Sequence, residues 1–171
     1  MDAEQLREMQ APLKSQYKEA PDAARIVLKA SGSLGEDGVT CKVETGKALV
    51  EAGLHPATGG SGAEACSGDM LLEALVACAG VTLKAVATAI GVNLKGGTVS
   101  AEGLLDFRGT LGVSKEAPVG FETIKLHFDL DTDADEEQLA TLIKLTERYC
   151  VIYQTLNKPP PVEVSTQVNG G

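Results

Sequence analysis

Four thiols, Cys41, Cys66, Cys78 and Cys150, are the most reactive side chains in this 171-residue sequence. A thiolate can attack an electrophile, be oxidised or bind a metal. Their successive separations of 25, 12 and 72 residues give no CxxC or CxxH pair, so a structural zinc site has little support. In a reducing compartment all four rest as thiols, and any disulfide among them is transient and catalytic. The default role of a free cysteine is a small buried hydrophobe, and Cys41 has that explanation ready on the inward side of a strand. Cys78 lies among Ala74, Ala77, Ala79, Gly80 and Thr82, small neighbours that leave room for a substrate or another chain to approach. His55 and Cys66 occupy a glycine-rich connection, GLHPATGGSGAEACSGDM, where either could approach a site but an incidental position is the simpler reading. That connection feeds a helix and could bind an anion through backbone amides, yet it contains neither GxxxxGK[ST] nor a strand-linked GxGxxG.

Composition narrows the partners. A formal charge of -9 and a pI near 4.7 leave no clustered positive patch of the kind that phosphate backbones need. Tryptophan is absent and aromatics are 4% of residues, so no base-stacking platform and no nucleic-acid partner are expected. The opening MDAEQLREMQAPLKSQYKEA is polar with no apolar core, which reads as neither a secretory signal nor an anchor; the expected location is the cytoplasm.

Cys78 must be positioned by the stretch around it. Ser67 to Gly91, SGDMLLEALVACAGVTLKAVATAIG, is the longest strongly apolar run, and it predicts one helix from Gly68 to Ile90, roughly 35 Å long at about 1.5 Å per residue. Ser67 is placed to cap it, Asp69 meets the favourable end of the helix dipole, and Gly91 supplies a left-handed exit. Leu71, Leu72, Leu75, Val76, Val81, Leu83, Val86 and Ile90 encircle its axis, so this helix needs cover on every side. A bilayer is the rival source of cover. Glu73 and Lys84 inside the run, with no second span, favour a buried helix in a soluble protein and no membrane partner. A domain this small has limited means to wrap such a helix alone, which makes a second subunit the natural cover.

The other elements follow in order. Residues 3–18 predict a charged helix bent or broken at Pro12, within a helical arm over residues 1–22 that precedes a domain over 23–171. Ala24 to Ser31, Val39 to Glu44 and Gly46 to Ala52 predict a meander of three strands, with a turn over Gly32 to Gly38. Thr98 to Arg108 and FETIKLHFDLD alternate as two more strands, the second with Ile124, Leu126, Phe128 and Leu130 inward and His127 outward. DADE opens another helix, capped by Asp133 with Glu136 reaching back, and Leu139, Leu142, Ile143, Thr146 and Tyr149 recur on one face. It ends near Cys150, VIYQTL adds a short helical turn, and Val162 to Val168 predicts a final strand. Such an order defines an α+β fold with mainly antiparallel sheets.

Two of these segments, DMLLEALVACAGVTLKAVA around Cys78 and ERYCVIYQTL around Cys150, resemble the OsmC/Ohr family of osmotically inducible and organic hydroperoxide resistance proteins. In that family one cysteine lies mid-helix in an AxxAC-like setting and a second opens a CPVxxTL-like motif. Here the second motif reads CVIYQTL, with Val151 in place of proline. The likeness extends from roughly Ala24 to Val168. It implies an intertwined homodimer with two long helices packed at its centre and each active site built from both chains. It also implies that Cys78 is the peroxidatic thiolate and Cys150 the resolving thiol, with no bound cofactor and an external dithiol to reset the pair.

A thiolate that attacks a peroxide becomes a sulfenic acid, and a nearby thiol condenses with it to a disulfide before further oxidation. A free thiol has a pKa of about 8.5, so such a site needs a cation or hydrogen-bond donor beside it. In the peroxidase branch the resemblance implies an arginine from the N-terminal hairpin, oriented by a glutamate near the helix start. The first turn here, GSLGEDG, has no arginine, and none of Arg7, Arg25, Arg108 and Arg148 falls clearly on that position. Arg25 and Asp69 are the candidates for activation or orientation, Asp69 ahead of Glu73 as the acid that would orient an arginine. Asp69 precedes Cys78 by nine residues, about 180° around the axis and roughly 13 Å along it, so it cannot touch that thiol directly. The leading expectation is a thiol peroxidase for organic hydroperoxides or hydrogen peroxide. Its rival is a binding or redox-regulatory protein of the same fold that takes a small apolar molecule without efficient turnover. Acyl transfer, a third possibility, lacks a placed general base.

Overall fold

A computed structural model describes residues 2–19, 31–34, 40–44, 49–112 and 114–168. The architecture is α+β and is organised around α2, Ser67–Ile90, a 24-residue helix. Cys66, extended at φ -84° and ψ 129°, is its N-cap residue, and Ser67 is already helical. The helix therefore starts one residue earlier than expected, because Cys66 closes strand β4, Ala65–Cys66, and the chain passes directly from ladder to helix. Gly91 ends it at φ 76°, a left-handed conformation that glycine adopts without steric cost, and its N–H donates to the Ala87 carbonyl.

Leu75, Ala79, Leu83, Val86 and Ala87 are buried on α2, whereas Val81 is 73% exposed. By length and composition alone α2 could cross a membrane. Within this chain it packs against β5, Leu94–Leu105, and two helices, α4, Glu136–Tyr149, and α5, Val151–Asn157. The first helix, α1, Ala3–Glu19, also packs on α2 and buries Leu6. It runs through Pro12 as one element rather than breaking there. Asp2 and Gln5 cap it reciprocally through each other's backbone N–H.

Strand β6, Phe121–Thr132, pairs antiparallel with β5, setting Val99 opposite Phe128 and Ala101 opposite Leu126. Its alternation is as expected, with Ile124, Leu126, Phe128 and Leu130 half-buried and His127 exposed. β5 begins at Leu94, four residues before the expected start at Thr98, because Gly96 and Gly97 themselves pair with Asp131 and Leu130. Gly97 sits at φ 141°, and a Cβ there would come 2.4 Å from the Asp129 carbonyl oxygen, so only glycine fits. At its other end β5 stops before Asp106, whose carboxylate accepts from the Arg108 N–H at 3.0 Å and caps α3, Phe107–Thr110. Phe107 and Arg108 thus lie in a short helix and not in the strand.

The other sheet has the order β1, Ser31–Leu34; β2, Thr40–Glu44; β3, Leu49–Gly53; then β4. The first three form the antiparallel meander, and β4 joins β3 in parallel. The strand expected over residues 24–30 lies outside the described residues. Gly32 to Leu34, expected as turn, instead pair with Val43 to Cys41, since ladder partners satisfy backbone groups that turn propensity alone does not.

Helix α4 is capped by Asp135, with Gln138 completing the capping box, rather than by Asp133 and Glu136. Strand β6 runs on to Thr132, whose hydroxyl donates to the Asn93 carbonyl at 2.7 Å and accepts from the Ala134 N–H at 3.1 Å, and the helix begins two residues later than expected. The final strand expected over Val162 to Val168 is not formed. Val162 and Val164 are 85% and 86% exposed, and period-two alternation yields a strand only where a sheet edge accepts it.

Candidate active site

The buried stripe of α4 delivers Cys150. Leu142, Thr146 and Cys150 stand four residues apart, hence on one helical face, and none is more than 1% exposed. Thr146 Oγ1 donates to the Leu142 carbonyl at 2.8 Å, and the Cys150 N–H donates to the Thr146 carbonyl at 2.9 Å. At Cys150 the backbone turns extended, φ -72° and ψ 111°, and the same residue becomes the N-cap of α5. Gln154 N–H donates to the Cys150 carbonyl at 2.9 Å, which leaves the N–H groups of residues 151–153 without an intrahelical acceptor.

Helix α2 brings Cys78 to these donors. Half-buried Cys78 packs in a cluster built on Leu75, Ala79 and Cys150, with Ile152, Tyr153 and Leu156 of α5 around it. The two sulfurs share that cluster, and the proton on Cys150 favours a negative charge on Cys78. Burial pushes the Cys78 pKa up, but the Ile152 N–H, the Cys150 thiol, the Val151 N–H and the Thr82 hydroxyl all favour the thiolate. Together they win, so Cys78 ionises below the ordinary thiol value. Cys150 moves the other way: burial is the main cause, partly offset by the Tyr153 N–H, and the hydrogen bond and charge of Cys78 hold its proton on. Two touching thiols driven apart in this manner provide one nucleophile and one proton-bearing neighbour.

Among the described residues no cation acts on Cys78. Arg108 is held by Asp106, with Nε to Oδ1 at 3.0 Å, and Arg148 lies over the Tyr149 ring at 5.6 Å. Arg7 is exposed on α1, and Arg25 lies outside the described residues. Asp69 is exposed in the first turn of α2, with no hydrogen bond or ion pair among the described residues. The fold thus unites Cys78 with Cys150 and leaves Asp69 apart from both. Cys66, twelve residues before Cys78, is roughly 18 Å away along the intact helix. His55 serves its own loop. Its Nδ1 accepts from the Ala57 N–H at 3.0 Å, capping the 3-10 turn Pro56–Thr58, and its ring stacks on Phe107 at 4.8 Å. Cys41 lies on β2 opposite Leu34 and Ala52, with its side chain outside the described residues.

The donors that sequence reasoning missed are backbone groups. Their signal was nonetheless present: Val151, unlike proline, carries an N–H at the first position of α5. Val151→Pro should retain the fold, since proline suits that position, Cys150 is already extended before it, and the Val151 side chain is exposed. It deletes one donor to the thiolate. Because the thiolate is the reactive form, a lowered pKa shifts the rate profile to lower pH, and the substitution shifts it back upward. Alkylation of Cys78, followed by peptide mass, should have its midpoint below that of an ordinary thiol in the wild type. The variant should show about tenfold less thiolate at neutral pH, and an unchanged profile would show that the amide is idle.

The model of the OsmC-like protein family matches residues 60–165. The fold is similar to that of an OsmC-like protein from Mycoplasma pneumoniae, with a TM-score of 0.65, 16% identity, and 78% of this chain and 89% of that chain covered. It is also similar to an organic hydroperoxide resistance protein from Elizabethkingia anophelis, with a TM-score of 0.62, 17% identity and coverages of 79% and 91%. A third structure, the organic hydroperoxide resistance protein OsmC from Legionella pneumophila, gives a TM-score of 0.60, 16% identity and coverages of 78% and 90%. No curated protein matches the sequence. Structural likeness at these identities shows the fold alone, but the family match spans more than half of the chain and includes both Cys78 and Cys150, so the chain belongs to the OsmC-like protein family.

Proposed function

We propose that this protein is a thiol-dependent peroxidase that reduces organic hydroperoxides or hydrogen peroxide through Cys78 and Cys150. The observation that carries this reading is the packing of Cys78 with the buried Cys150 in one cluster, where the surrounding donors favour the Cys78 thiolate. Two similar structures bear the name of organic hydroperoxide resistance proteins, which is consistent with it.

The Cys78 thiolate attacks the terminal oxygen of ROOH, the O–O bond breaks, and the alkoxide takes a proton and leaves as ROH. Cys78 is then a sulfenic acid. The Cys150 sulfur displaces its hydroxyl, losing its own proton, so that water and a Cys78–Cys150 disulfide form. An external dithiol reduces that bond by exchange and becomes a disulfide itself. Peroxide and dithiol are thus converted to alcohol, water and oxidised dithiol, with no bound cofactor. The open side of α2 around Val81 supports a homodimer in which a second copy covers it, and a reducing cytoplasm suits a cycle that begins from free thiols.

One equivalent of peroxide, followed by alkylation and peptide mapping, tests the pairing. The expected product is a Cys78–Cys150 disulfide; a Cys66 disulfide, or an unmodified Cys78, would remove the basis for this reading. A Cys78 that reacts once and is not reset by dithiols would instead favour the binding or regulatory role, for which the lack of a cation beside Cys78 among the described residues speaks.

A further inference from the structure

A cavity of about 500 Å³ lies against the thiol cluster. Leu75, Leu126 and Leu156 contribute to its apolar wall, while Glu122, Glu147 and Tyr153 supply polar lining. Leu75 is three residues from Cys78 on α2, and Tyr153 is three residues from Cys150, so each thiol stands one helical turn from the wall. Six of the lining residues, Leu75, Ile124, Leu126, Phe128, Tyr153 and Leu156, also belong to the cluster that packs the two sulfurs.

On the reading that the pair reduces peroxides, we propose that this cavity holds the organic portion of the substrate and that Glu147, with Glu122, selects uncharged hydroperoxides over those carrying a carboxylate. The volume and leucine wall suit an alkyl or aryl group. Glu147 is half-buried and Glu122 exposed, and no basic side chain lines the cavity among the described residues. Tyr153 lines the cavity together with Glu147; burial first, and then Glu147 by charge and hydrogen bonding, raise the Tyr153 pKa. A substrate carboxylate would lose hydration beside a like charge and find no cation in exchange among the described lining residues. The chain's net charge of -9 adds a longer-range repulsion in the same direction.

The test compares a medium-chain hydroperoxy fatty acid with its methyl ester, which differ in charge but share the peroxide and chain. Cumene hydroperoxide serves as a third, uncharged substrate, and a dithiol as reductant. At low ionic strength the wild type should favour ester over acid by about tenfold in kcat/KM, and the ratio should fall several-fold in Glu147→Gln and in high salt. Glu122→Gln, on an exposed strand position, should lower the same ratio less and gives a second variant if Glu147→Gln folds poorly. Equal turnover of acid and ester by a wild type that consumes cumene hydroperoxide overturns the selectivity and leaves the peroxidase reading standing. Failure to consume any of the three overturns the peroxidase reading, and this inference with it.

Discussion

Cys78→Ser is expected to lower peroxide consumption by about a thousandfold or more, because it replaces the ionisable nucleophile with a hydroxyl that stays protonated at neutral pH. Cys150→Ser should behave differently. A serine hydroxyl can still donate to the Cys78 sulfur, so the first turnover survives and yields a sulfenic acid, but no disulfide can follow. Intact mass should show one added oxygen after one equivalent of peroxide, and a second as peroxide is increased, since nothing intercepts the sulfenate. Consumption assays with a dithiol, run on both variants, check the division of labour. Equal rates for wild type and Cys78→Ser would end the peroxidase proposal, and identical mass behaviour of the two variants would remove the asymmetry between the thiols.

Much of the scaffold was legible because it rests on strong local periodicity. The apolar run from Ser67 to Gly91 has no proline and ends in a glycine that takes the left-handed conformation, so α2 could be placed within a residue of its observed start. Likewise β6 alternates without exception from Ile124 to Leu130, and the strand buries what the pattern assigns inward. Pattern and structure part where a tertiary contact overrides a local signal. DADE reads as a capping sequence, yet the chain is still tied to the strand end through the Thr132 hydroxyl, and the cap passes to Asp135. Val162 to Val168 has the alternation of a strand, but a pattern specifies only which side chains share a face; the edge that would receive it must come from elsewhere.

The candidate site divides along the same line. Cys78 and Cys150 were readable as a pair from their two motifs, although they lie 72 residues apart and nothing in their spacing brings them together. Their electrostatics were not readable in side chains. The family resemblance implies an arginine and an acid, whereas among the described residues the groups that favour the Cys78 thiolate are two amides, a thiol and a hydroxyl. Amides carry no residue letter, and their availability depends on the break between α4 and α5 at Cys150. That break leaves the first N–H groups of a new helix beside the sulfur, so among the described residues part of the support for the thiolate comes from backbone geometry.

The same dependence on backbone makes Leu142→Ala the most consequential core substitution. Leu142 is fully buried between α2 and α4, in contact with a cluster of Leu83, Val86, Ala87 and Val92. Truncation removes the transfer free energy of the lost methyl groups and leaves a cavity that a packed interior refills only in part, at a cost of about 2–5 kcal/mol. Against a total stability of about 5–15 kcal/mol for an ordinary domain, that is a large share. Urea unfolding should show a lower midpoint with an unchanged slope, and Leu142→Met, which conserves volume, should cost less than about 1.5 kcal/mol. The effect should also reach the chemistry. Leu142, Thr146 and Cys150 form one buried stripe, linked by the Thr146 hydroxyl to the Leu142 carbonyl and by the Cys150 N–H to the Thr146 carbonyl. Loosening its first member shifts the helix end from which Cys150 and the α5 amides approach Cys78. Under conditions where the variant remains folded, its Cys78 alkylation profile should therefore move to higher pH than in the wild type; a profile that stays in place while stability falls would show that the stripe supports the fold without tuning the thiol.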